Sequence, residues 1–137
     1  MRSIRKMGDD CLREAELGMK TVKSNKDQAE RLLHYMKAYQ LLTAYYEHKV
    51  LTAISALIYH HGGKQDERVR AEKLADETVE LYVAAANHIY DQIDKREGKI
   101  KGRWWEGERE MPGLIEAEKK DRRDIPELFQ WEKARKS

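Results

Sequence analysis

Between Asp27 and His61 the chain runs without a glycine or proline, and apolar side chains recur along it at helical spacing. One row reads Leu32, Met36, Tyr39, Thr43, Tyr46, Val50, Ala53, Leu57, in alternating steps of four and three. A strand would alternate every second residue, so this is a helix. A second row, Ala38, Leu41, Ala44, Leu51, Ile58, lies beside it, and Leu42, Tyr45, Ala56, Tyr59 form a third. A helix apolar around so much of its circumference is packed by neighbours on several sides. It is the expected centre of the fold, roughly 50 Å long at about 1.5 Å per residue. The pattern places Val50, Ile54 and Leu57, with Leu81 from the next helix, in the core.

The flanking segments complete an all-α bundle. A first helix is expected from about Asp9 to Lys23, with Cys11 buried in an apolar row and Gly18 either weakening the helix or marking a close crossing. Ser24 to Gln28 is the break, with Ser24 or Asn25 as a capping residue. The central helix, about 27–61, should end at Gly62 in the left-handed conformation. A third helix, about 65–97, follows, so the two long helices form an antiparallel hairpin. Centring its turn near residue 63 sets Tyr82 level with Ala44, Tyr90 with Met36, Tyr35 with Asp91 and Glu80 with Tyr46. Gly98 to Pro112 is a long connection. It leads to a short C-terminal helical pair: Pro112 to about Arg122, contacting through Leu114, Ile115 and Ala117, then a segment after Pro126 whose Leu128, Phe129 and Trp131 could dock on the bundle. One domain, 1–137, is expected.

Composition narrows the functional classes. The 137 residues carry 27 basic and 25 acidic side chains, a net charge of +2, so no overall field draws in nucleic acid. In the C-terminal third, Lys and Arg interleave with Glu and Asp, which reads as a salt-bridged surface and not a basic stripe. No apolar run reaches the ~18 residues of a membrane span, and neither nucleic acid nor membrane is an expected partner. The single cysteine forms no intrachain disulfide. The first ten residues have no hydrophobic signal-peptide core. A complete chain would therefore be cytoplasmic, and a fragment of a larger enzyme could be secreted.

Candidate chemistry is sparse. Di-iron bundles use Glu-x-x-His pairs, and the chain has none. Glu30 and His34 are four apart. Glu47, His48, Asp76 and Glu80 fall at one level of the hairpin, where a carboxylate–imidazole site is conceivable, although a solvated charged face is the simpler reading. His60 and His61 read as a helix terminus. No nucleophile motif, phosphate-binding loop or zinc spacing is present. No catalytic residue, metal ligand or cofactor is therefore assigned.

The aromatics are the better lead. Trp104 and Trp105 are adjacent in the glycine-rich connection, beside Arg103, and the hairpin register places Tyr35, Tyr39 and Tyr90 toward the same end. These six residues are the candidate binding set. The tryptophans could plug the bundle or present a platform for a glycan or a protein, since Trp, Tyr and Arg dominate interface hot spots. The order Ala29-Glu30-Arg31-Leu32, then Tyr45-Tyr46-x-x-Lys49-Val50, then Leu81-Tyr82 and a Leu114 to Asp121 helix, resembles helical modules at the C-terminal end of large bacterial polysaccharide-degrading glycoside hydrolases. Over about 27–131, that resemblance implies a non-catalytic module that packs on a catalytic domain or helps form a dimer. The expected function is thus an interaction or accessory module with a protein partner, a second copy or a glycan. The alternative is a small metal- or carboxylate/histidine-dependent enzyme.

Overall fold

The computed structural model describes residues 3–94 and 113–124, and within them every element is helical. Helix α1 spans Ile4–Met19, α2 Lys26–Gly62 and α3 Gln65–His88; α3 passes into a π-helical turn, Ile89–Asp94. Residues 113–124 form α4. The all-α architecture built on an antiparallel α2–α3 hairpin is therefore as expected. No helix among the described residues is long and apolar enough to cross a membrane.

The helix ends differ in detail from expectation. α1 begins at Ile4, five residues ahead of Asp9, because the Ser3 side chain caps it by accepting from the Lys6 N–H at 3.2 Å. It stops at Met19, where Thr21 turns back to the Gly18 carbonyl. The chain breaks before α2 as expected, but Asn25 enters it in the left-handed region, φ 54°, with no side-chain cap. At the other end Gly63, not Gly62, takes the left-handed position, φ 65°, and its N–H closes on the Tyr59 carbonyl at 2.7 Å. A residue without a β-carbon adopts that conformation at no steric cost.

The hairpin register holds to about one residue. The rings of Tyr45 and Tyr82 lie 5.0 Å apart, and His48 Nε2 is 3.1 Å from a Glu77 carboxylate oxygen.

The face that α2 buries is not the expected one. The buried positions are Ala38, Ala44, Tyr45, Thr52 and Ser55, facing Ala71, Ala75, Thr78, Ala85 and Ala86 of α3. Small side chains let two helices approach closely, so the hairpin contact selects Ala, Ser and Thr over Leu and Ile. Val50, Ile54 and Leu57 are instead 54%, 47% and 58% exposed, and Leu81 is only partly buried. The row from Leu32 to Leu57 is thus a surface row, although Met36 and Thr43 within it are partly covered.

Larger apolar groups gather at the open end of the hairpin. Ala38, Ala86, Ile89 and Ile93 form a buried cluster joined by Tyr35, Leu42 and Ile115. Ile115 therefore docks α4 as expected. Leu114 and Ala117 lie on its exposed side, and Glu118 takes the buried position instead. α1 packs on α2, with Gly8 against Thr43 and Gln40. That contact, not Gly18, is the close crossing, and Gly18 has open space around it. With Gly8 turned to α2, Cys11 is exposed.

Candidate functional site

The most connected polar cluster fastens α4 to the hairpin. The Tyr45 hydroxyl donates to Glu118 Oε2 at 2.9 Å, and the Lys49 ammonium donates to the same oxygen at 2.8 Å and to the Tyr45 hydroxyl at 2.9 Å. One turn away, Arg122 holds Asp76 of α3 through two bonds of 2.6 and 3.2 Å. Burial pushes the Tyr45 phenol up to about 12. Burial also works against the Lys49 ammonium, yet its bonds to Glu118 and Tyr45 outweigh it and raise that pKa above the ordinary lysine value. Both shifts keep the tyrosine neutral and the lysine charged at neutral pH, the reverse of what an activated base requires. The cluster is a clamp.

The level that might have formed a carboxylate–imidazole site is dispersed. Glu47 accepts from the Ser3 hydroxyl and from the Arg5 N–H at 3.1 Å, which draws it toward α1. Those two bonds, the Ser3 one foremost, lower its pKa. His48 Nδ1 faces the Ala44 carbonyl at 3.0 Å, while Nε2 faces Glu77, so both ring nitrogens point at oxygen acceptors. Asp76 is taken by Arg122, and Glu80 is exposed. Among the described residues no three His, Cys, Asp or Glu side chains converge as a metal site would require. His34 leans on His88, ring centroids 5.5 Å apart, and His88 Nε2 lies 3.0 Å from the His34 carbonyl. His60 and His61 meet edge to face at the end of α2.

The expected aromatic set is only partly in view. Arg103, Trp104 and Trp105 lie outside the described residues. Tyr35 packs on the Ile89–Ile93 cluster and is partly buried, as is Tyr90, while Tyr39 is exposed. Tyr39 therefore belongs to a different surface.

That surface is built from residues whose apolar pattern alone places them in the core. Leu32, Tyr39, Tyr46, Val50, Ile54 and Leu57 each expose between 47% and 58% of their area along one side of α2. α1 extends it. Asp9 bonds Gln40 at 2.9 Å on one flank of the α1–α2 contact. Ile4, Met7 and Cys11 lie roughly half a turn round α1 from Asp9. They therefore emerge on the opposite flank, beside Tyr39 and Tyr46, and all three are exposed. Toward the hairpin tip the first helix stops: Ser3 reaches Glu47, and no part of α1 covers Val50, Ile54 or Leu57 beyond it. The sequence signal for this face was available in the small-residue row of α3, which calls for an equally small row opposite.

The chain matches no family model, no curated protein and no solved structure.

Proposed function

We propose that this chain is a non-catalytic helical interaction module that binds a protein surface through the apolar side of α2 and the adjoining edge of α1. One observation supports the reading above others. The buried positions of the hairpin are mostly alanine, serine and threonine, while leucine, isoleucine, valine and tyrosine stand outside. Soluble monomers rarely leave a contiguous apolar patch larger than a few hundred Å² uncovered, and larger ones mark interaction sites. The polar clusters support it from the other direction, since their charges are spent on clamping helices together. On the narrower form of the reading, suggested by the resemblance to glycoside-hydrolase modules, the association is accessory to a larger enzyme. Trp104 and Trp105 would add hot-spot side chains to it.

The test is photo-crosslinking in the expressing cell. A benzophenone amino acid at Leu57 should give a discrete adduct, while the same probe at exposed Glu80, on α3, should not. Adducts at neither position, or equally at both, would remove the support for a specific docking face.

A further inference from the structure

We infer that the occupant of this face is a second copy of the same chain, packed antiparallel along α2 about a two-fold axis near Tyr46. The inference rests on the interaction-module reading and names its partner.

Three observations carry it. The first is area. The exposed apolar side chains of α2, with Ile4 and Met7 of α1, present on the order of 800 Å², about one partner's share of a standard-size interface. A single α1-sized helix would leave most of it wet, whereas a second copy covers it along its whole length.

The second is pattern. The row keeps steps of four and three from Leu32 to Leu57, with Leu32, Tyr39, Tyr46, Val50, Ala53 and Leu57 exposed and Met36 and Thr43 partly covered, the 3.5-residue repeat that lets one helix lie along another without drifting off the seam. Reversed about its midpoint, that row matches its exposed positions in two pairs, while Tyr46 falls opposite Thr43, where α1 also packs. Leu32 meets Leu57 of the second copy, Tyr39 meets Val50 of the second copy, and Tyr46 sits beside the axis. A two-fold interface requires this self-complementarity.

The third is helix polarity. α2 opens at Lys26 and Asp27 and closes at His60, His61 and Gly62. Antiparallel packing brings the start of α2 to the level of exposed His61 of the second copy and opposes the two helix dipoles. Parallel packing would set like ends together. None of the row's own members from Leu32 to Leu57 is charged, which spares the seam itself a desolvation cost.

Sedimentation equilibrium of the full chain tests the inference. The wild type should have twice the 16.2 kDa chain mass at micromolar concentration. Leu57→Glu should return it to the single-chain mass with unchanged helical circular dichroism, because Leu57 supports no intrachain core. Val50→Lys is the second variant should the first unfold. Register is read by oxidation in a Cys11→Ser background: Tyr46→Cys should form a disulfide dimer and Leu57→Cys should not. A monomeric wild type overturns the inference, and so does a dimer unmoved by both substitutions or one crosslinked through Leu57→Cys. If the wild type is monomeric while the Leu57 photoprobe captures a different protein, self-association fails and the interaction module stands. If neither occurs, both fail.

Discussion

Gly8 and Thr43 are in such close apposition that a β-carbon on Gly8 would come 2.0 Å from the Thr43 hydroxyl oxygen and 3.1 Å from the Gln40 backbone. The hydroxyl is not free to swing away, since it donates to the Gln40 carbonyl at 2.9 Å and a β-branched side chain is stiff at its first torsion. Overpacking at such a site costs about 1–3 kcal/mol, against roughly 1 kcal/mol gained by replacing glycine with alanine in a helix. Gly8→Ala should therefore be neutral to destabilising by up to about 2 kcal/mol, with the damage confined to α1. Hydrogen exchange would localise it. Gly18→Ala, with open space around it, should be stabilising, and a larger loss there than at Gly8 would refute the assignment of the crossing.

The hairpin contact makes an unusual ordering of core and surface. Ala71 has no exposed area and Ala75 almost none, and by the register Ala71 lies level with Ser55, itself buried. Ala71→Leu adds bulk where two helices meet closely and should cost about 1–3 kcal/mol or more. Leu57→Glu should cost the folded chain under about 0.5 kcal/mol, as surface changes usually do. Chemical denaturation at a concentration where the chain is monomeric compares the two directly. The opposite ranking would return the Leu57 row to the core.

Helices and hairpin register were legible in the sequence because both depend on local period and on glycine punctuation. Which face of α2 goes inward was not, because α2 is apolar around most of its circumference and hydrophobicity cannot choose among its rows. The choice is made by α3, whose Ala71, Ala75, Thr78 and Ala85 stripe admits only a close neighbour. Hence Thr52 and Ser55 are buried while Val50 and Leu57 are not. Glu118 failed for a related reason. A glutamate reads as solvent-facing until Tyr45 and Lys49, some seventy residues earlier, are known to meet it.

Acid should loosen α1 before it unfolds the hairpin. Glu47 holds the start of α1 through the Ser3 hydroxyl and the Arg5 N–H, and these bonds lower its pKa in the folded state. The stability they contribute is present above the unfolded carboxylate value of about 4.3. It is lost as pH falls through the lowered folded value. Glu47→Gln should reduce the thermal midpoint at neutral pH, and the difference from the wild type should shrink as pH falls through the lowered folded value. A difference that stays constant as pH falls would mean that the charge is irrelevant to the clasp.

Alkali should act on the α4 clamp in the opposite sense. Burial, with the Glu118 carboxylate beside it, moves the Tyr45 phenol to about 12, against about 10 in an unfolded chain. A folded-state pKa that is raised means a contribution fully present below about 10 and lost as pH climbs through the folded value. The Lys49 ammonium, also raised, stays charged through the lower part of that window and continues to bridge Tyr45 and Glu118. Tyr45→Phe removes two bonds, the one the hydroxyl donates to Glu118 and the one it accepts from Lys49, while leaving Glu118 its lysine, so the loss at neutral pH should be about 1–2 kcal/mol. Lys49→Met is the harsher change, because it strands Glu118, only 9% exposed, with the tyrosine hydroxyl alone. It should therefore release α4 more than Tyr45→Phe does, as seen by proteolysis between the hairpin and residues 113–124. Ultraviolet titration of tyrosinate then checks the network itself: the wild type should show a tyrosine that ionises at about 12 and is absent from Tyr45→Phe. If Tyr45→Phe leaves the titration curve above pH about 11 unchanged, the hydroxyl does not sit in the clamp described.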